Sequence, residues 1–245
     1  MRDEALDLTD NQGIVVLADA LDGSDLLERN LGNWCSTAVF FKPSNPPGQR
    51  ILLSIAAMPW GDVFFARHDA SGSFICAKRG GKKNKERTRP VAGPSKVKSL
   101  REASICYYGQ KYKNFISVFT TGLLKKIESA SSAAGHADGS DGQGSENKLR
   151  IYNLGGIPMM CNLVNHSVKT ARTIDAVIEL KGQKAHDFVP GAFIAMKGGA
   201  HVVDLTGKKL ELEDLERLLL RPARSAQKYV IASTEALAAE IISSI

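Results

Sequence analysis

Ile14-Val15-Val16-Leu17-Ala18 is apolar without a break and ends at Asp19. A run apolar on both faces predicts a strand buried in the middle of a sheet, with the acids that follow emerging at its end. A short helix is expected over 25–30. Residues 34–42 carry the β-branched and aromatic content of a second strand, closed by the Pro- and Gly-containing turn at 43–48. Residues 50–57 and 62–67 read as further strands, and Asp69-Ala70-Ser71-Gly72 turns the chain into another at 73–77. Together these predict an antiparallel sheet.

The pattern changes after Ser104. A strand begins at 104–108, and Phe115, Val118, Phe119, Leu123 and Ile127 fall on one side of a helix over 114–129. The Ser/Gly-rich stretch 129–147 predicts a surface loop before a strand at 150–152. A helix is expected over 159–168, entered through Gly155-Gly156-Ile157-Pro158. A strand at 173–180, a helix at 188–196 stopped by Gly198-Gly199, and strands at 201–205 and 229–232 follow. An Ala/Leu-rich helix at 234–242, capped by Ser233, closes the chain. Strands alternating with helices make this half α/β. Two lobes are expected, an antiparallel sheet lobe over 1–103 and an α/β lobe over 104–245.

With 245 residues and 43% hydrophobic content the chain can bury a substantial core. No apolar stretch reaches the roughly 20 residues of a membrane span and no basic-then-apolar leader opens the chain, so a soluble cytoplasmic protein is expected. Cys35, Cys76, Cys106 and Cys161 are scattered without metal-ligand spacing and read as reduced thiols. His68, His136, His166 and His201 share no such spacing either. The net charge of +6 owes much to ten Lys and Arg between Lys78 and Arg101, which face one acid, Glu86. Such a run could grip nucleic acid, but no aromatic residue interleaves it for base stacking, and a solvated hairpin or loop is the better reading.

The chemistry-bearing stretch is Asp19-Ala20-Leu21-Asp22-Gly23-Ser24. Two carboxylates three residues apart at a strand end are costly unless a cation or a proton sits between them. Mg²⁺ prefers oxygen ligands, and Asp19, Asp22 and the Leu21 carbonyl supply them. Gly23 lets the backbone turn, and Ser24 offers a hydroxyl and an amide at a helix start, where phosphate is attracted. Asp, Gly and Ser are also ordinary turn residues. The tetrapeptide from Asp22 recurs at Asp138-Gly139-Ser140-Asp141 with no strand before it, and that copy reads as loop.

Asp19 to Ser24 resembles the first signature of the inositol monophosphatase family, D-P-x-D-G-[TS], with Ala20 in place of proline. His186-Asp187-Phe188-Val189-Pro190-Gly191 resembles the second, W-D-x-A-[AG]-G, and runs on to Gly198-Gly199 and Val203-Asp204-Leu205-Thr206-Gly207 as that family does. The superfamily also holds fructose-1,6-bisphosphatases and lithium-sensitive nucleotide phosphatases. The resemblance implies a layered αβαβα sandwich and Mg²⁺-dependent phosphate monoester hydrolysis with two or three ions. It implies that Asp19, Leu21, Asp22 and Asp187 hold metal and that Gly23 and Ser24 hold phosphate. The family's acidic pair, which holds metal and orients the attacking water, falls at Asp3 and Glu4. Glu179 and the Gly155 to Pro158 segment, Gly156 included, fall where family members meet substrate. Ile157-Pro158 departs from the family's usual Ala-Ala there, which counts against inositol itself and leaves related phosphate esters as expected substrates beside it. Family members carry two long helices ahead of the acidic pair; this chain has neither, and the sheet face they would cover is expected to be exposed. A homodimer is implied. The rival from another class is a non-catalytic phospho-ligand or nucleic-acid binder that keeps the phosphate cradle.

Overall fold

The computed structural model describes residues 8, 10–78, 86–107, 122–123, 149–166, 174–222 and 226–245. Six strands form an antiparallel meander in sheet order: β1 (Val15–Asp22), β2 (Cys35–Phe41), β3 (Ile51–Ala57), β4 (Val63–Arg67), β5 (Ser73–Lys78) and β6 (Glu86–Pro90). Helix α1 (Ser24–Glu28) sits between the first two. The antiparallel sheet expected from β-branched and aromatic content and from turns is there, and the basic run, expected as a hairpin or loop, supplies its last strand, β6, which pairs antiparallel with β5.

β1 departs from expectation. It lies at the edge of the sheet rather than in its middle, and it pairs with β2. Its apolar run serves two different faces: Val15 and Leu17 pack on the core, while Ile14 and Val16 are 63% and 49% exposed. On the face that carries Val16, the cross-strand neighbours Phe40 and Leu53 are half-buried. An uninterrupted apolar run marks two apolar faces, and does not by itself say that both are covered.

The second sheet has the order β10-β11-β9-β7-β8, built from β7 (Ser104–Tyr107), β8 (Arg150–Tyr152), β9 (Ala176–Gln183), β10 (His201–Val203) and β11 (Gln227–Ala232). β7 pairs in parallel with β8 and β9, and the pairs β9–β11 and β10–β11 are antiparallel, so the sheet is mixed. The helices are α2 (Ile157–Leu163), α3 (Ala185–Lys197), α4 (Leu212–Leu220) and α5 (Glu235–Ile242). α4 has no counterpart in the sequence reading. α5 is capped by the Thr234 side chain, which accepts from the Leu237 N–H at 3.2 Å, rather than by Ser233. The 114–129 helix and the 129–147 loop lie almost wholly outside the described residues; Gly122 and Leu123 are helical, and Leu123 is buried in the core under the second sheet.

α2 and α3 join the sheets. Phe188, Val189, Phe193 and Ile194 of α3 are fully buried in one cluster with Val39, Phe64, Val177 and Ile231, which come from both sheets. Burying such side chains contributes about 1.5–3 kcal/mol each. The sandwich therefore closes around α3, and its first turn is fixed against the end of β1. The described residues contain no helix long and apolar enough to cross a membrane.

Candidate metal and phosphate site

In a regular strand, residues three apart face opposite sides of the sheet. Asp19 is opposite Thr37 and Asp22 is opposite Cys35, so three steps on β1 span two on β2, and a β-bulge lies between them. The extra residue turns Asp22 onto the face that carries Asp19. Local bonds hold the bulge: Asp19 Oδ1 accepts from the Leu21 N–H at 3.0 Å, and the Ser36 hydroxyl donates to the Ala20 carbonyl at 2.7 Å. Gly23 then takes φ +89°, which an L side chain rarely adopts, and α1 begins at Ser24.

The third acid comes from far along the chain. α3 starts at Ala185, three residues earlier than the sequence suggests, so Asp187 stands inside its first turn and is not its cap. An acid in a first turn is favoured by the helix dipole. One oxygen from each of Asp19, Asp22 and Asp187 lies within 4.8 Å of the others. His186 Nε2 lies 3.4 Å from Asp187 Oδ1.

A cleft of about 190 Å³ opens over the three acids. Leu21, Gly23, Ser24, Gly155 and Gly156 line it, together with Asn33 and Gln183. The Ile157 N–H at the start of α2 donates to Asp22 Oδ2 at 3.0 Å, and Asn33 Nδ2 donates to the Gly155 carbonyl at 3.0 Å, drawing the Gly155-Gly156 segment over the site. Burial pushes the Asp22 carboxyl up to about 7; the Ile157 N–H opposes this, and the charges of Asp187, Asp19 and Asp25 add to it. Asp187 is also raised, first by burial, with His186 working against the shift and Asp19 with it. Among the described residues no Lys or Arg lines the cleft. Crowded, half-buried carboxylates, with His186 against Asp187 alone, are the oxygen-rich donor set that suits a hard divalent cation.

Of the residues singled out in the sequence, Asp19, Leu21, Asp22, Gly23, Ser24, Gly156 and Asp187 meet in this cleft. Glu179 does not line it. Glu179 is 4% exposed and spends Oε1 on the N–H groups of Lys181 and Gly182, at 2.7 and 3.0 Å, with its carboxyl raised by burial. Asp3 and Glu4 lie outside the described residues. Sequence reading passed over Asn33, Gln183, Cys35 and Tyr229. Cys35 is buried 3.9 Å from Asp22 Oδ2, and burial pushes its thiol up. None of the four carried a local sequence signal: Cys35 is placed by its pairing with Asp22, and the rest depend on tertiary packing.

No family model matches the sequence, and no curated protein matches it. Solved structures do match the fold. A Pyrococcus horikoshii protein described as similar to inositol-1 monophosphatase matches 95% of this chain and 70% of its own, with a TM-score of 0.62 and 19% identity. An inositol monophosphatase–fructose 1,6-bisphosphatase matches 96% and 71%, at 0.61 and 16% identity. The chain has the inositol monophosphatase fold. A third such structure, an IMPase-II bound to inositol monophosphate, matches 96% of this chain and 70% of its own at a TM-score of 0.56 and 13% identity. Within this fold the bulge on β1 and the first turn of α3 are what bring the acids together.

Proposed function

We propose that this chain is a Mg²⁺-dependent phosphate monoester hydrolase acting on an inositol phosphate or a related sugar phosphate. The observation that carries the reading is the convergence of Asp19, Asp22 and Asp187 from opposite ends of the sequence, within 4.8 Å of one another. The fold is that of phosphatases, one of them bound to inositol monophosphate, and this supports the substrate class.

Asp19, Asp22, Asp187 and the Leu21 carbonyl would hold the cations. Bound Mg²⁺ would supply charge to the phosphoryl oxygens and lower the pKa of a water molecule. The chain's own residues do the positioning. Gly23 and Ser24 present backbone N–H groups and a hydroxyl to phosphate oxygens, and the Ser24 hydroxyl with Asp3 or Glu4 orients the attacking water. Asp3 is the better match in register, so Asp3→Asn should harm turnover more than Glu4→Gln. The polar, narrow cleft favours a hydrophilic alcohol as leaving group. Fixed dipoles and charges aimed at the reacting phosphoryl group need no reorganisation during the reaction.

The test is phosphate release from inositol 1-phosphate, fructose 1,6-bisphosphate and a 3′-phosphonucleotide, with Mg²⁺ and with chelator. Release that needs Mg²⁺ and vanishes in Asp22→Asn is expected. Undiminished release by that variant under chelation would sink the proposal.

A further inference from the structure

The cleft contains a donor that the metal and phosphate chemistry does not use. Gln183, at the end of β9, lines the cleft beside Asp22 and Asp187. Its Oε1 accepts from the Tyr229 hydroxyl at 2.5 Å. Tyr229 is fully buried on β11 and stacks on Phe188 with ring centroids 4.5 Å apart. Burial, then the charges of Glu179, Asp22 and Asp187, hold the Tyr229 phenol well above its ordinary pKa, so the hydroxyl keeps its proton and must donate it. A carboxamide that faces a buried hydroxyl proton turns its oxygen toward it. The amide nitrogen is then directed elsewhere, and Nε2 has no hydrogen-bond partner among the described residues. Nε2 is also not enclosed and keeps contact with solvent.

A substrate hydroxyl brings a proton to donate and lone pairs that need a donor. The carboxylates around it, when they hold cations, can only accept. Ser24 and the backbone N–H groups beside it are committed to phosphate in the reading above. Among the described residues lining the cleft, Asn33 Nδ2 is bonded to the Gly155 carbonyl, and Gln183 Nε2 is then the uncharged side-chain donor left for the alcohol portion of the ester. We propose that Gln183 binds the substrate's alcohol portion, donating from Nε2 to one of its hydroxyl oxygens, and that Tyr229 is a positioning residue that fixes the amide for this contact. The inference rests on the phosphatase reading. It adds a reason for discrimination: an ester whose alcohol has no hydroxyl leaves the Gln183 amide unpaired.

The test compares inositol 1-phosphate with phenyl phosphate, both in Mg²⁺. Gln183→Ala should raise KM for inositol 1-phosphate roughly 5- to 20-fold with kcat little changed, and leave KM for phenyl phosphate where it was. Gln183→Glu keeps the shape and the acceptor for Tyr229 but has no N–H₂, so with Mg²⁺ present to balance the added charge it should lose the same preference. Tyr229→Phe keeps the ring on Phe188 and should show a smaller selective rise in KM. Equal effects on the two esters, or none, would overturn the inference and leave Gln183 a structural residue. If the wild-type protein hydrolyses neither ester, the phosphatase reading fails. Calorimetric titration of the same esters then reads binding directly. Selective weakening of inositol 1-phosphate binding in Gln183→Glu upholds the contact, and equal or absent binding of the two esters overturns it.

Discussion

The Ile157 N–H and Asp22 Oδ2 meet at 3.0 Å although they lie 135 positions apart in the chain. The contact needs Gly156 at φ +75°, ψ −172°, a region that glycine alone occupies without strain. A Cβ on Gly156 would stand 2.8 Å from Asp22 Oδ2. Gly156→Ala must therefore either twist the start of α2 away from the acids or push Asp22 out of its position. It should cost about 1–3 kcal/mol in urea unfolding. The larger effect should be on Mg²⁺ affinity, weakened at least about tenfold for 1.4 kcal/mol of displaced ligand geometry. A variant with normal Mg²⁺ titration would show that α2 plays no part in placing Asp22.

Asp22 makes metal-free stability depend on pH. Its carboxyl is raised from an ordinary 3.8 to about 7 in the folded chain, by burial first and by the neighbouring acids next. The folded state thus holds a proton that the unfolded state has already released, and stability falls as pH rises from about 4 to about 7, by at most about 1.4 kcal/mol per pH unit. Above about 7 both states are ionised at this site and the loss is complete. Asp22→Asn removes the burial of charge. In chelator at pH 8 it should melt at a higher temperature than the wild type, and near pH 4 the two should converge. Added Mg²⁺ should raise the wild-type melting temperature and leave the variant's unmoved. A variant that melts lower than wild type at pH 8 would mean that the ionised carboxylate stabilises the fold, against this account.

The strands were legible from their β-branched and aromatic content, and in β2 burial follows a period of two through Cys35, Val39 and Phe41. The acids of the site were legible because Asp19 to Ser24 packs ligands, turn and helix start into six consecutive residues. What lay hidden was geometry that no local pattern encodes. The edge position of β1 depends on what covers its second face, and the bulge that turns Asp22 onto the Asp19 side shows only in pairing with Thr37 and Cys35. The true start of α3 at Ala185 was masked because Ala185 and His186 carry no capping signal. α4 was overlooked although Leu215 and Leu219 have helical spacing and are fully buried, because charged residues dilute its apolar face. Gln183 and Tyr229 sit 46 positions apart, and only the pairing of β9 with β11 makes them neighbours.

Glu216 offers a test of the fold that bypasses the site. It is 1% exposed on α4 and accepts from the Gly48 and Arg50 N–H groups at 2.7 and 2.6 Å, tying the β2–β3 turn to that helix. Glu216→Ala leaves both donors without their acceptor in a part-buried setting, at a cost of about 1–3 kcal/mol for each donor left unpaired. Urea unfolding should show a loss of roughly 2–6 kcal/mol. Mg²⁺ affinity of the folded fraction should stay as it was, since Glu216 is not among the residues lining the cleft. A change in Mg²⁺ affinity as large as that in stability would show that α4 and the acid cleft are coupled.

Gly191 links core packing to the site. α2 and α3 cross where Gly191 leaves room, and a Cβ there would lie 2.5 Å from Met160 Sδ and 3.2 Å from both Ile157 Cγ atoms. Methionine is flexible, but Met160 is fully buried and has nowhere free to move. Ile157 is β-branched and stiff, so α2 itself must shift. Overpacking of this kind costs about 1–3 kcal/mol, which denaturant unfolding of Gly191→Ala should reveal. The shift also pulls at the Ile157 N–H, which opposes the rise in the Asp22 pKa. Weakening that bond lets the carboxyl rise further, so half-maximal Mg²⁺ binding should move to higher pH than in the wild type. An unchanged pH midpoint alongside lost stability would place the whole cost of Gly191→Ala in the core and detach the helix crossing from the chemistry of the acids.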